Sequence, residues 1–392
     1  MAQLARKNYG QVHTYALLRL CVCVSGIVAL LSGIPTLAQD VRPMLSTRAQ
    51  ALMSEAWTDS SFARAIAIIA EKTEAQDTRS VAMELLHSNR LKLKPNEMRQ
   101  LLQEVARIAK DVESQENLAA QAIQAMANLT LTMKELGQLN RAEATKEVGF
   151  LLNTITDSRR NIHLRSQAIN AVGTLSISEA FPILGALLNP STYLNLPEIA
   201  RPACLSLMRI DREGAIPVLA DVLRKTSDSR VFGTAAFALG QINTRQTMSA
   251  LVQNIERFPE SSSCDAALVE MGDVILDVIK NAQDERLIDG IRATRHLWRE
   301  GQRARYIPAL QGLLTTAPPD ARKAALERLL EAASTQEFEH EKRELTAILE
   351  LIKDQDQLSE YQGRIRERLA ATRVAPDSGV TTPVQIKKNQ ER

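Results

Sequence analysis

The stretch AAFALGQINTRQTMSALVQNI, residues 235–255, decides the fold. Ala235, Ala236, Leu239 and Ile242 recur at helical spacing, and small residues among them let neighbouring helices approach closely. A second apolar stripe follows within MSALVQNI, 248–255. Two short amphipathic helices in succession read as a helical hairpin.

Working outward, both halves recur. AINAVGTL (168–175), ACLSLMRI (203–210) and ALVEMGDV (267–274) match the first half, at steps of about 32–35 residues. FPILGALL (181–188), IPVLADVL (216–223) and IPALQGLL (307–314) match the second, where Ser249 replaces a proline. Pro182, Pro217 and Pro308 are expected in the first turn of the second helix, where a missing N–H costs nothing. The expected fold class is all-α, a solenoid of stacked antiparallel helical hairpins, about eight or nine pairs over residues 45–372.

Over 161–315 the paired phrases resemble the HEAT-repeat family, in particular the short, phycobilisome-lyase-like variety. The resemblance implies a right-handed superhelical α-solenoid scaffold with the second helices on its concave side. Outside that window the period loosens. Residues 45–160 read as irregular helical repeats, with helices expected at 62–72, 77–88, from Pro95 to about 112, at 117–129 and at 145–155. Residues 316–372, opened by Pro318-Pro319-Asp320, read as charged capping helices. Residues 373–392 have no periodicity and read as a disordered tail.

The N-terminus carries Arg6, Lys7 and Arg19, then the apolar run Leu20–Ile34, then Pro35 and Thr36-Leu37-Ala38. That order is a secretory signal peptide, residues 1–38, cleaved after Ala38. The run is short for a membrane span, which needs about 20 apolar residues; the alternative is an uncleaved anchor at 20–34. Export to a bacterial periplasm or the extracellular space is the expectation, its bacterial part leaning on the resemblance and on the lack of a cysteine-rich framework. Cleavage removes three basic residues and no acid, taking the formal charge from +2 to near −1. Such a chain is no general polyanion binder, and no nucleic-acid partner is expected. Cys204 and Cys264 lie two repeats apart, farther than the roughly 7 Å between Cα atoms that a disulfide spans, so both read as packing residues.

Catalytic and metal signatures are missing from the sequence. His87, His163, His296 and His340 share no i, i+4 face, and there is no HExxH, G-x-S-x-G, P-loop or dinucleotide fingerprint. No cofactor, no metal and no enzyme activity are expected. Two groups of partner-binding candidates remain. In register, the expected concave-face positions of the second helices include Asp221, Arg224, Gln253, Glu256 and Gln311, a mixture of signs and amides suited to a protein or peptide bound on that face. Residues 285–305, ERLIDGIRATRHLWREGQRAR, set Arg292, His296 and Arg299 in a stripe, which suits acidic groups, although an ordinary solvated flank with Arg295 snorkelling along the apolar edge has the same pattern. The functional expectation is an exported, non-catalytic scaffold binding a protein or peptide. The alternatives are a membrane-tethered assembly factor and a lyase-type enzyme on the same fold.

Overall fold

The computed structural model describes residues 46–371, apart from 55–56, 59, 112–114, 140–142, 144–147, 260, 298–302 and 335–337. The expected signal peptide and tail lie outside these residues. The described residues contain nineteen α-helices and no strand, and none of these helices is long and apolar enough to cross a membrane. The all-α solenoid expected from the repeats is the fold.

The chain forms two units, one ending at Leu93 and one beginning at Lys94. The first holds α1 (Thr47–Ser54), α2 (Ser61–Ala70) and α3 (Gln76–Ser88). Here α3 packs on both α1 and α2. Its Arg79 is buried and donates from Nε and Nη2 to the carbonyl of Ile69, at 3.1 and 2.9 Å. That closes the C-terminus of α2, whose last carbonyls have no helical partner.

The second unit runs α4 (Pro95–Lys110), α5 (Glu116–Glu135), α6 (Val148–Thr156), α7 (Ile162–Thr174), α8 (Phe181–Leu187), α9 (Pro197–Ile210), α10 (Arg212–Lys225) and α11 (Ser229–Ile242). It continues with α12 (Arg245–Asn254), α13 (Ser263–Glu270), α14 (Gly272–Asn281), α15 (Arg286–Leu297), α16 (Arg303–Thr316), α17 (Pro319–Ser334), α18 (Phe338–Ile352) and α19 (Ser359–Ala371). Odd-numbered helices stack on one another from α5 to α17, and even-numbered ones stack from α10 to α18. The quoted phrases explain the odd row. Ala235, Ala236 and Leu239 are fully buried, and a Cβ on Gly173 would lie 2.6 Å from Ser206 Cβ and 2.8 Å from its Cα, so only glycine admits α9 this close.

Helix starts follow side-chain chemistry. Asn161, Asp211 and Asp228 accept from the first-turn N–H groups of α7, α10 and α11, at 2.7–3.1 Å. Each such cap contributes about 1 kcal/mol. Asp211 also corrects the proline reading: it starts α10 five residues before Pro217, which therefore sits in the second turn, as Pro308 does in α16. Only Pro182 lies in a first turn as expected. The phrase 267–274 is also divided, since α13 ends at Glu270 and α14 begins at Gly272. Its length is shared between two helices, which shortens the repeats between 223 and 307. Cys204 and Cys264 are buried and unpaired.

Candidate functional site

The repeat after α12 departs most from its neighbours. The chain leaves α12 through a 3-10 turn, Ile255–Arg257, and reaches α13 by a loop. The loop is anchored from below. Arg257 donates to the carbonyls of Leu223 and Thr226, closing the end of α10, and the Phe258 ring packs on buried Phe232 with centroids 4.6 Å apart. With Arg257 reaching the end of α10 and Phe258 packed on Phe232, Glu256 is exposed beside a cleft of about 610 Å³.

Ile255 and Pro259 line one side of this cleft, Asp265, Val269 and Glu270 of α13 another, and Arg295 and His296 of α15 close it. His296 Nδ1 lies 2.5 Å from Asp265 Oδ1. Burial lowers the imidazole below its ordinary range; Asp265 pulls the other way without prevailing, and Arg295 and Arg328 add to the lowering. His296 is therefore uncharged at neutral pH. Arg295 Nε contacts Glu331 Oε1 of α17 at 3.2 Å, and Arg328 shares the same carboxylate. No described residue gives Glu256 or Glu270 a counter-ion.

On the same helix as Arg295 and His296, Asp289 is 7% exposed. It accepts from Gln253 Nε2 at 3.3 Å, and Arg292 lies 4.0 Å away. The structure thus brings together four of the candidate positions and their neighbours: Gln253 with Arg292 through Asp289, and Glu256 with His296 across the cleft. Asp221 and Arg224 lie on α10 and do not line the cleft; Asp221 is held by Arg224 and by Lys225 at 2.6 Å. Gln311 is half-buried on α16. Arg299 lies outside the described residues.

Sequence reasoning missed Asp265 and Asp289. A signal for Asp289 was present. Arg79, Arg165 and Gln362 each occupy the fourth position of an odd helix, ten residues after Ile69, Ile155 and Ile352, and each donates to that isoleucine's carbonyl. Ile279 and Asp289 have the same spacing. An acid stands where the other three joints place a donor.

Among the described residues no group of three or more His, Cys, Asp or Glu could hold a metal ion. Burial pushes the thiols of Cys204 and Cys264 up to about 12, leaving both as inert packing groups.

No family model matches the chain, and no curated protein matches it. It is similar to solved helical proteins. A structure of the karyopherin Kap121p bound to the extreme C-terminus of the protein phosphatase Cdc14p is 16% identical, with a TM-score of 0.40 over 70% of this chain and 34% of that one. The complex of CpcE and CpcF of phycocyanin lyase from Nostoc sp. PCC7120 is 16% identical, with a TM-score of 0.36 over 81% of this chain and 97% of that one. Human deoxyhypusine hydroxylase is 15% identical, with a TM-score of 0.28 over 83% and 97%. The chain spans about a third of the length of the karyopherin it matches. The all-α solenoid is read from this chain's own helices and the order in which they stack.

Proposed function

We propose that this chain is an exported, non-catalytic scaffold that binds a protein or peptide along the second unit, with the α12–α13–α15 cleft as its principal contact. The observation that carries the reading is the pairing of charges around the cleft. His296 is taken up by Asp265, Arg295 by Glu331, and Asp289 by Gln253 and Arg292. The His296–Asp265, Arg295–Glu331 and Asp289–Gln253 contacts each join one helix to another, and Arg292 meets Asp289 within α15; none converges with a nucleophile on a single reacting point, as a catalytic constellation requires. Stacked repeats offer an extended polar surface of a kind that suits a long, shallow partner. Export rests on residues 1–38 and their signal-peptide order.

Crosslinking mass spectrometry on the native exported protein tests both parts. The expected result is a mature start at Gln39 and partner crosslinks confined to α10–α16. A mature protein that retains 20–34 overturns cleavage in favour of a tether, and crosslinks confined to the first unit overturn the assigned surface.

A further inference from the structure

We infer that the occupant of the α12–α13–α15 cleft is a basic segment of the partner, with a lysine or arginine side chain seated between Glu256 and Glu270. This rests on the scaffold reading and adds the chemistry of what the scaffold holds.

The argument is an inventory of charge around a space of definite size. The cleft, of about 610 Å³, has room for one long side chain and part of its backbone. Its apolar wall, Ile255, Pro259, Ala266 and Val269, suits the methylene stem of such a side chain. Its charged lining is three carboxylates, Glu256, Asp265 and Glu270, against Arg295 and His296. Both bases are already engaged. Arg295 is shared with Glu331, and burial keeps His296 uncharged beside Asp265. Arg292 and Arg328 lie against Asp289 and Glu331, and Arg257, next to Glu256 in the chain, is turned away to the carbonyls of Leu223 and Thr226 and does not line the cleft. The two glutamates are left uncompensated by any described residue. A carboxylate flanking an apolar wall attracts a cation, and an acidic ligand would meet like charge on both sides.

The anchored loop supplies the second half of the argument. Arg257 and Phe258 hold its backbone in place, so Glu256 is presented by a fixed wall, with little ordering left to be done on binding.

The test uses the full mature chain and three labelled decapeptides of equal length: one rich in lysine and arginine, one rich in glutamate, one uncharged. Fluorescence anisotropy is expected to show the basic peptide binding tightest, with affinity falling as salt rises. The double variant E256Q/E270Q is expected to weaken basic-peptide binding by roughly tenfold or more, as loss of charged hydrogen bonds implies. Both side chains lie at the surface, so its melting curve should match that of the parent. Glu84→Gln, exposed on α3 of the first unit and outside the proposed surface, is the control that leaves affinity unchanged. Equal binding of the three peptides, or an unaltered affinity in the double variant, overturns the inference. If the native partner still crosslinks to α10–α16 in that case, the scaffold reading survives and only the chemistry of its occupant is wrong. If the partner crosslinks nowhere on the second unit, the scaffold reading has failed by itself.

Discussion

The joint entering α7 and the joint entering α15 occupy the same register and are built oppositely. At the first, Arg165 is 5% exposed; its Nε donates to Ile155 at 3.0 Å, its Nη1 to the Tyr193 hydroxyl at 3.2 Å, and its guanidinium lies 4.7 Å from the Tyr193 ring centre. One side chain therefore closes the preceding helix and ties two hairpins together. At the second, an aspartate stands where the donor would be, and no described side chain donates to the Ile279 carbonyl. The Asp289 carboxylate turns instead toward Gln253 and Arg292. Both residues are buried, but Arg165 makes three contacts that bind neighbouring elements, whereas Asp289 meets one amide and a cation 4.0 Å away. A buried charge whose compensation is weak contributes little stability.

That contrast sets the largest expected effect. Arg165→Leu removes the donor to a buried carbonyl and leaves the Tyr193 hydroxyl one partner short, so it should destabilise the protein by about 3 kcal/mol. Urea unfolding followed by circular dichroism measures it. A loss below about 1 kcal/mol, the range of an ordinary surface substitution, would break the comparison at its strong end.

A packing variant on the same helix should fall next. Gly173→Ala on α7 would drive a methyl group into the Ser206 backbone, where Cα lies 2.8 Å from the new atom. Overpacking of this kind costs about 2 kcal/mol. Ser206 itself cannot swing aside cheaply, because its hydroxyl donates to Ile169 at 2.8 Å. The same urea measurement applies, and a neutral result would mean that α7 and α9 can separate without loss.

The difference between these joints also explains what could be read from the residues. The repeat at 161–315 was legible because Ala235, Ala236, Leu239 and their counterparts are core positions, and burial imposes both period and residue type. Helix starts at Pro95 and Pro319 were legible for a similar local reason. The boundary between α13 and α14 was not, since a continuous apolar phrase does not show where a backbone turns. Glu256 and Gln253 were singled out through register, but Asp265 was not. Its meeting with His296 joins residues 31 positions apart across an irregular repeat. The isoleucine-to-donor spacing at 69–79, 155–165 and 352–362 was in the sequence unread. It extends the repeat beyond the regular window and marks Asp289 as the exception.

Asp289→Asn tests the weak end of the comparison. The amide keeps the contact with Gln253 and removes a charge whose partner, Arg292, is exposed and 4.0 Å away. Stability should change by less than about 1 kcal/mol in either direction. A loss approaching that of Arg165→Leu would show that Asp289 supports the stack as strongly as the arginine does, and the distinction between the two joints would disappear.

The smallest effect concerns pH, and it joins this region to the proposed occupant. His296 is held below the ordinary imidazole range chiefly by burial. In the unfolded chain it takes up a proton near pH 6.5, so the unfolded state binds more protons than the folded one as pH drops through that value. Stability at this residue is therefore undiminished above about pH 6.5 and declines below it, until the folded imidazole also protonates. Once protonated, His296 adds a positive charge among Asp265, Glu256 and Glu270 on one side and Arg295 and Arg328 on the other, and a basic ligand is then less welcome. Basic-peptide affinity should fall modestly between pH 7.5 and 5.5, and His296→Gln should flatten that dependence while leaving affinity at pH 7.5 close to the parent's. An identical slope in the variant would mean that the imidazole does not face the bound segment, and the seat between Glu256 and Glu270 would have to lie on the α12 side of the cleft alone.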